Sequence, residues 1–512
     1  MGGNSVLSNL LRGGRLKSVR EDVVNFTSSF KDDLVLTDAA IRINQAHVIM
    51  LIEQEIINQS DGVALLRALK KLLDNPSTLS GEDIHMAIEE SILKDTGEEV
   101  GGNLHIAKSR NDQVVTAIRI LLRKQLLTSI NIILQMRKSL VETAENHINT
   151  LILEYTHLQP AQPVTFAHYL LSFIDNLERN LQRLIQTYER VNLCPLGAGA
   201  LATTSFQINR NRVAELLGFD EVLENSIDAV GSRDFILETI AVFTLISVNL
   251  SRLSEDLIIW SSTDFGVIDL PDNFASTSSI MPQKKNPELL EIIRANASRI
   301  LGDFVAATST LKGLPTTYNL DFQQITPYLW NSIKIVDSSL IILTNLLPNL
   351  KVTADISEKS KLSFVAATEV ANLLTREYHI PFRTAHKIVG TLVNSLISKK
   401  LTFVDLTPEM IQNTSNMFSS CKIKISAKQI SNCINPQKIV DAHNVRGGPA
   451  PVEVKRALLA KKKQIKAAQK TLTNLNQKLL DAKKTMELII TSYLSSDLSS
   501  NVRFKNSNLQ VE

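Results

Sequence analysis

The sequence has few cysteines, and their spacing does not suit a disulfide framework or a metal site. Its 512 residues include only three, Cys194, Cys421 and Cys433, which lie far apart and form no Cys-x-x-Cys pair. This pattern argues against a secreted disulfide scaffold or a zinc module and favours a reducing compartment. The first residues also contain no long apolar signal region. We therefore expect a cytoplasmic protein without a metal.

Aromatic residues and net charge are also low. Aromatic residues make up 5% of the chain, and the formal net charge is +3. Such values do not favour partners among nucleic acids or membrane surfaces. The most apolar stretch, residues 235–260, carries Glu238, Arg252, Glu255 and Asp256. Because a membrane span rarely contains four charges, this stretch predicts a buried helix.

Glycine and proline are absent between Gly102 and Pro160. In that window apolar residues recur at helical spacing, which predicts one amphipathic helix of about ten turns. Four further long helices are predicted: after Pro163, from Asp234 to about Ser262, from Pro287 to Ile300, and from Tyr328 to about Leu346. Strand signals are short and scarce. Five long helices in mid-chain predict a mainly α protein with an elongated bundle.

The chain divides into four parts at changes of composition. We expect a helical N-terminal domain at 1–112, a central long-helix bundle at 113–362, a C-terminal helical domain at 363–455 and a Lys-rich helical tail at 456–512. The C-terminal domain should contain two helices broken at Pro381. The lysines of the tail form either a solvated helix face or an element that binds a partner.

The stretch TSSIMPQKKNPELLE, residues 277–291, combines hydroxyls, two lysines and two prolines. Asn286 and Pro287 have the pattern of a helix N-cap followed by proline in the first turn. The loop before them offers hydroxyls and backbone N–H groups beside Lys284 and Lys285, and such a loop suits carboxylates. Taken alone, the stretch could equally be a surface loop with its charges in water.

Three other segments carry polar side chains that could form a site. SRNDQ, at 109–113, offers Arg110 for bidentate carboxylate binding and Asn111 as an amide, or else a helix cap. YTHLQPAQPVTFAH, at 155–168, contains Thr156 and His157 between two predicted helices, where a histidine is often structural. LPTTYNLDFQ, at 314–323, offers Tyr318 and Gln323 as hydrogen-bonding groups.

Together the four segments resemble the fumarase/aspartase superfamily and, within it, the argininosuccinate lyase family. SSIMPQKKNP is the signature of the superfamily, and SRNDQ, YTHLQPAQPVTF and YNLDFQ narrow the resemblance. Further matching segments follow the family's order: FTSSFKDD at 26–33, EDIH at 82–85, PLGAGALA at 195–202, SRDFILE at 232–238 and RGGPAPVEV at 446–454. The resemblance covers roughly residues 10 to 455. It implies a three-domain fumarase/aspartase-like fold with a central long-helix bundle and a homotetramer whose sites are shared between subunits.

The resemblance also implies a role for each matching residue. Ser278 would be the general base, with Lys284 and Asn286 holding the adjacent carboxylate. His157 would take part in proton transfer at the leaving nitrogen, with Glu291 as its charge partner. The remaining roles concern substrate binding: Thr156, Arg110 and Asn111 for the other carboxylates, Ser29, Asp33, Tyr318 and Gln323 for the arginine end, and Arg233 in support.

The activity that these roles imply is the β-elimination of argininosuccinate to arginine and fumarate, the last step of arginine biosynthesis. No cofactor or metal is implied, because a base, cationic groups and a proton donor suffice for the reaction. An adenylosuccinate lyase is the enzymatic alternative, but it would need a site for phosphate and purine. The other alternative is a structural protein on the same scaffold, like the lens crystallins. The intact set of predicted catalytic residues argues against this alternative.

The sequence departs from the family pattern at three places. Thr277 stands where the family has glycine before the serine pair. The family's HTGRSRND is here HIAKSRND, with Ile106, Ala107 and Lys108. Thr326 stands where a lysine follows the YNLDFQ motif. None of these positions is a predicted acid or base, so we expect them to affect substrate binding and loop closure.

Overall fold

The computed structural model describes residue 15 and residues 20–76, 79–352, 356, 360, 363–420 and 423–507, with side chains up to residue 495. Cys421, most of the N-terminal stretch and the last tail residues lie outside the described residues. The described part is mainly α-helical, which confirms the predicted fold class.

Short helices precede the bundle. They are α1 Glu21–Thr27, α2 Phe30–Asp33, α3 Thr37–Glu53, α4 Gln59–Asp74, α5 Ile84–Thr96 and α6 Glu98–Gly101. Polar side chains cap two of them: Asn58 accepts from the backbone of Asp61 before α4, and Asp83 accepts from Met86 before α5. These caps satisfy N–H groups that have no partner inside the helix.

Five long helices form the bundle, as predicted. They are α7 Arg110–Asn146, α8 Phe166–Val191, α11 Asp234–Ser261, α12 Glu288–Leu311 and α13 Phe322–Leu346. Helix α7 has 37 residues, which is about ten turns. Helix α12 continues 11 residues beyond the predicted end at Ile300. Helix α13 begins before the predicted Tyr328, because Pro327 lies inside the helix without ending it.

Short elements connect the long helices. They are α9 Arg210–Leu216, α10 Ser226–Gly231 and six strands: β1 Leu151–Thr156, β2 Gln159–Thr165, β3 Leu193–Cys194, β4 Glu221–Val222, β5 Ile268–Asp269 and β6 Lys351–Val352. Strands β1 and β2 form an antiparallel hairpin between α7 and α8. Strands β3 and β4 pair in parallel, and β5 and β6 pair antiparallel. Strands are therefore scarce in the described chain, as predicted.

The C-terminal part begins with the two predicted helices. They are α14 Ala367–Tyr378 and α15 Phe382–Ser398, separated at Pro381. The remaining helices are α16 Pro408–Ser415, α17 Ala427–Ile434, α18 Pro436–Ala442 and the long final helix α19 Pro451–Ser507. His379 ends α14 in the left-handed conformation, with φ of 52°.

Two large hydrophobic cores organise these elements. The larger core runs from Leu36 to Leu350 in sequence, so the N-terminal helices and the bundle share one interior. The smaller core is built from residues between Ala366 and Ile439. Helix α19 also packs against the larger core, in which Val454, Leu472 and Ile490 are buried.

Within the described residues, two segments are long and apolar enough to cross a membrane by length and composition alone, Glu21–Glu53 and Asp234–Ser261. The second is α11, whose Ile240, Phe243 and Leu253 are fully buried in the bundle. Burial of this kind is the usual reason for such a composition in the core helix of a bundle. The prediction of a buried helix at this position agrees with the structure.

Helix α19 combines a packed stripe with a Lys-rich surface. Leu472, Met486 and Ile490 are at most 4% exposed, whereas Leu480 and Leu488 are 49% and 70% exposed. Lys461, Lys462 and Lys478 form ion pairs with Asp175, Glu145 and Asp220 of the underlying helices and loops. The described part of the tail is therefore docked on the bundle through both apolar contacts and ion pairs.

We predict that Ile490→Ala weakens the docking of α19, while Leu488→Ala leaves it unchanged. Removing a buried isoleucine side chain costs about 2–5 kcal/mol, and an exposed substitution stays within about 0.5 kcal/mol. Amide hydrogen exchange across residues 470–495 measures the difference. Equal protection in the two variants would show that the apolar stripe does not hold the helix.

Candidate active site

The predicted catalytic serine lies on a loop whose two ends are joined by backbone hydrogen bonds. Ser276 N–H donates to Asn286 O at 3.2 Å, and Asn286 N–H donates to Ser276 O at 2.7 Å. We call residues 276–286 the serine loop. The prediction that Asn286 caps helix α12 is wrong: the helix begins at Glu288, and the backbone of Asn286 belongs to this pairing instead.

The hydroxyl of Ser278 receives two backbone N–H groups. Ile280 and Met281 donate to its Oγ at 3.3 and 3.1 Å. Donors in this position stabilise negative charge on the oxygen. Lys284 is exposed on the same loop, and its ammonium group makes no hydrogen bond or ion pair with the described residues. The loop therefore presents a hydroxyl with two donors and a cation available to a ligand.

A clamp of ion pairs holds the end of the serine loop. The ammonium group of Lys285 lies 3.0 Å from Asp269 and 2.8 Å from Asp272. These hydrogen bonds raise the pKa of Lys285. The two adjacent lysines thus differ in role, because Lys285 is engaged by the protein and Lys284 is not.

Glu291 lies in the first turn of α12 and is exposed. Within the described chain it forms no hydrogen bond with His157, its predicted charge partner. Its neighbour Arg294 pairs with Glu255 at 2.5 Å. The carboxylate of Glu291 is thus available at the helix start.

His157 and Thr156 lie at the tip of the β1–β2 hairpin. Thr156 pairs with Gln159, which leaves His157 and Leu158 as a two-residue turn. Their φ angles are 55° and 57°, the sign that a type I′ turn requires at both positions. Thr156 and His157 are exposed and make no hydrogen bond with the described residues. The hairpin therefore projects its two predicted site residues away from its own subunit.

Arg110 is the first residue of α7 and faces two carboxylates. Its guanidinium nitrogens lie 3.4 Å from Asp83 and 3.9 Å from Glu89. Ser109 caps the helix in a capping box with Asp112. The helix start therefore fixes the direction in which the guanidinium leaves the backbone.

The residues predicted for the arginine end lie beside Arg110. Ser29 Oγ donates to Asp33 Oδ2 at 2.5 Å. Burial raises the pKa of Asp33 to about 6, and the Ser29 hydrogen bond acts in the opposite direction. Gln323 Nε2 donates to Thr27 O at 3.1 Å, which brings the start of α13 to the same place.

Arg233 supports Tyr318 through an aromatic ring. Its guanidinium carbon lies 4.3 Å from the centre of the Phe322 ring, and that ring contacts Tyr318 edge to face at 5.7 Å. Arg233 is buried, so burial lowers its pKa to about 9. The guanidinium group donates hydrogen bonds to the carbonyls of Val230 and Ser232. Arg233 therefore contacts the Tyr318 segment through the Phe322 ring.

Asp112 joins the start of α7 to a glycine-containing loop. One carboxylate oxygen accepts from Gly197 and Gly199 at 3.0 and 2.8 Å, and the other accepts from Ser109 at 2.9 Å. Burial raises the pKa of Asp112 to about 6, whereas the hydrogen bonds from these three N–H donors act to lower that pKa. A side chain at Gly199 would approach the carbonyl of Thr203 to 2.6 Å, which explains glycine there. Asn111 reaches the same loop by donating to Ala200 O at 3.0 Å.

The predicted residues form two groups at opposite ends of one subunit. Helix α7 is about 55 Å long at 1.5 Å per residue, so Arg110 at its start lies far from the hairpin that follows its end. Helix α11, about 42 Å long, likewise separates Arg233 from the serine loop. Tyr155 contacts Phe265 at 5.1 Å, which brings the hairpin to the serine-loop end. One group therefore lies around Arg110, with Asn111, Arg233 and the residues predicted for the arginine end, and we call it the Arg110 side. The other group contains the hairpin and the serine loop.

Sequence reasoning missed several residues that hold these groups. Asp83 and Asp112 lie inside segments that match the family, but the resemblance gives them no role. The sequence does not distinguish Lys285 from Lys284, and Asp269 and Asp272 lie outside the matching segments. The capping pattern Ser-x-x-Asp at residues 109–112 was the one available signal for Asp112. Among the described residues, no group of three or more His, Cys, Asp or Glu side chains is arranged for a metal ion.

The three departures from the family pattern have different structural consequences. Ala107 has a φ of 59°, a conformation that glycine adopts more easily. Thr277 has no positive φ and is exposed, so its backbone does not require glycine. Thr326 is buried, and its hydroxyl donates to Phe322 O at 3.4 Å within its own helix. It therefore supplies no cation to the site.

Comparison with known proteins places the chain among lyases. The profile of a lyase family matches residues 20–302, and the profile of the argininosuccinate lyase C-terminal region matches residues 364–441. The argininosuccinate lyase of Methanococcus aeolicus is 43% identical over 478 residues, covering 92% of this chain and 97% of the relative. That of Methanocaldococcus jannaschii is 42% identical over 490 residues, covering 94% and 99%.

Solved structures share the fold. An EDDS lyase in complex with formate superimposes with a TM-score of 0.84 at 30% identity, covering 90% of this chain and 93% of that chain. A class II fumarase from Schistosoma mansoni superimposes with a TM-score of 0.67 at 16% identity, covering 80% and 91%. At that identity the fumarase supports the fold alone.

The long-helix bundle, the serine loop and these matches define a lyase of the fumarase/aspartase superfamily. Three of the matches are more specific: one profile describes the C-terminal region of a single family, and the two relatives match over nearly their whole length. The chain belongs to the argininosuccinate lyase family.

We predict that Asp112→Asn destabilises the loop at 195–203 by about 1–3 kcal/mol or more. An amide has one acceptor oxygen and an NH₂ group, so at least one of the three N–H donors would face another donor. Amide exchange in this loop and chemical denaturation measure the effect. Asp74→Asn, at an exposed position on α4, is the control. Equal stability of the two variants would contradict the anchoring role of Asp112.

Proposed function

We propose that this chain is a carbon–nitrogen lyase that eliminates fumarate from argininosuccinate and releases arginine, the last step of arginine biosynthesis. The observation that carries the proposal is the serine loop. There the Ser278 hydroxyl receives two backbone N–H groups beside a lysine whose ammonium group is available to a ligand. Family membership over nearly the whole chain supports the same substrate.

The reaction needs a base for a weakly acidic C–H bond. We assign this role to Ser278, which as its alkoxide, stabilised by the two backbone N–H donors, would take the proton from the carbon beside a substrate carboxylate and become a hydroxyl. The electrons of the C–H bond form the new C=C bond of fumarate, and the C–N bond then breaks toward the guanidinium nitrogen. A positioned base contributes about 10²–10⁴-fold to the rate.

Negative charge develops on the substrate carboxylate during proton removal. Lys284 would bind that carboxylate as an available cation, and the side chain of Asn286 would donate to it from the base of the serine loop. One such donor contributes about 10²–10³-fold. Because the Lys285 clamp fixes the neighbouring residue, Lys284 would be presented from an anchored segment.

The leaving nitrogen needs a proton, and the other end of the substrate needs a binding site. His157 is assigned to the proton transfer, with Glu291 as its charge partner. Thr156, Arg110 and Asn111 would bind the remaining carboxylates. Ser29, Asp33, Tyr318 and Gln323 would bind the arginine end, where Asp33 is the carboxylate that can pair with a guanidinium group.

We further propose a homotetramer with shared sites. The two groups of site residues lie at opposite ends of one subunit, separated by helices of about 42 to 55 Å. The bundle also exposes large apolar side chains: Leu245 and Val248 on α11, Ile292, Leu301 and Val305 on α12, and Ile341 on α13. Packing these faces between copies would bury them and bring opposite ends together.

Location and partners complete the proposal. We propose a cytoplasmic enzyme that acts on a small molecule and has no nucleic-acid or membrane partner. Support comes from the low net charge and from Cys194 and Cys433, which are free thiols in the described chain. Burial raises the pKa of Cys194 to about 11, so that thiol stays protonated and unreactive.

The direct test follows fumarate by its ultraviolet absorbance after argininosuccinate is added to the purified protein. Ser278→Ala should lower kcat by about 10²-fold or more while substrate binding persists. Ser279→Ala is the matched control, because Ser279 is the exposed second serine of the pair. A wild-type protein without turnover would overturn the function. An effect on KM alone in Ser278→Ala would overturn the base assignment.

We predict that the affinity for argininosuccinate falls as the pH drops through about 6. Burial raises the pKa of Asp33 to about 6, so its carboxylate is ionised above that pH and neutral below it. Only the ionised form pairs with the guanidinium group, so KM should rise on the acid side. Asp33→Asn should have a high KM without this acid limb, whereas Asp32→Asn, its exposed neighbour, should keep the wild-type profile. An unchanged acid limb in Asp33→Asn would assign the titration to another group.

Mixed oligomers test the shared site. Arg110→Ala and Ser278→Ala subunits should each be nearly inactive, and refolding them together should restore part of the activity. Some sites in a mixed tetramer would then receive both intact residues from different chains. Mixed tetramers without restored activity would place Arg110 and Ser278 in the same chain at each site. A monomer by sedimentation would contradict the whole shared-site proposal.

A further inference from the structure

Lys108 is buried two residues before Arg110. It is 8% exposed, and its ammonium group donates to Asn44 Oδ1 on α3. Asn44 is itself buried, and its Nδ2 donates to Ala40 O at 2.9 Å. The amide is therefore oriented with its oxygen toward Lys108, and the pair ties the loop before α7 to α3.

A second contact secures the same loop. His47, one turn along α3 from Asn44, lies with Nε2 2.7 Å from Ile106 O. Burial lowers the pKa of His47 to about 3, so the ring is neutral and its Nε2–H donates to that carbonyl. The two contacts lie on either side of Ala107, whose φ is 59°. They hold the loop in a conformation that alanine rarely adopts.

The groups around Lys108 come from every element packed against it. They are His47 on α3, His85 and Glu89 on α5, His105 in the loop, and Arg110 and Asp112 on α7. Burial keeps the pKa of His85 well below its usual value, so this ring is neutral like that of His47. Glu89 lies 3.4 Å from His105 and 3.9 Å from Arg110. The charged form of Lys108 thus faces two carboxylates and one guanidinium.

We propose that Lys108 is a positioning residue whose hydrogen bond to Asn44 sets Arg110 and Asn111 for the substrate carboxylates. The inference rests on the proposed function and adds a control of affinity to it. Ser109 caps α7 immediately after Lys108, so a shift of the lysine moves the start of the helix.

The first experiment measures KM and kcat in wild type, Lys108→Arg and Lys108→Met. Lys108→Met removes the donor to Asn44, so its KM should rise by about five- to tenfold while kcat stays within about twofold of wild type. Lys108→Arg keeps a hydrogen-bond donor at this position, so its KM should stay close to that of wild type. Lys94→Met, at an exposed position on α5, is the control.

A double-mutant cycle then tests the Asn44 contact. Asn44→Leu should raise KM, and the double variant with Lys108→Met should be no worse than the more impaired single variant. The inference is overturned if Lys108→Arg is as impaired as Lys108→Met, if Lys108→Met binds like wild type, or if the two single effects add.

Amide exchange separates this inference from the proposed function. Without any substrate, Lys108→Met should exchange faster than Lys94→Met at residues 104–113, and Lys108→Arg should be protected like wild type. A wild-type protein without lyase activity would sink the proposed function, while this exchange result would still decide whether Lys108 holds the loop. Equal exchange in the three variants would refute the positioning role.

Discussion

The buried carboxylate of Asp112 is the contact on which the Arg110 side of the site depends. It accepts three backbone N–H groups, one from the cap of α7 and two from the loop at Gly197 and Gly199. Because a buried carboxylate is costly without such partners, the two segments have to meet at this point. The start of the longest helix and the loop that Asn111 reaches are thereby locked together.

Rigid helix length is the second constraint. A helix advances 1.5 Å per residue, so α7 and α11 carry the chain about 55 and 42 Å away from the Arg110 side. The serine loop and the hairpin consequently occupy the far end of the same subunit. In the proposed homotetramer, a complete site would combine both ends of the bundle, with one end supplied by another copy of the chain.

The two ends are also held differently. At the Arg110 side the polar groups are buried and linked, as Ser29 is to Asp33 and Arg233 is to the Phe322 ring. At the other end Thr156, His157, Lys284 and Glu291 are exposed. The two ends of the serine loop are held by backbone pairing and by the ion pairs of Lys285. Its tip, with Ile280 82% exposed, is left to meet a ligand or another subunit.

The sequence by itself determined the long helices, because apolar spacing and the absence of glycine and proline are local properties of the chain. It also determined the family and the residues of the motifs, since these can be read directly from residue types. Only the tertiary structure decided that the Thr156–His157 segment is a hairpin, that Asn286 pairs with Ser276 rather than capping α12, and that Lys108 turns toward Asn44. Each of these three features depends on a partner distant in sequence or on a competing backbone contact. The local pattern of residues does not reveal either kind of contact.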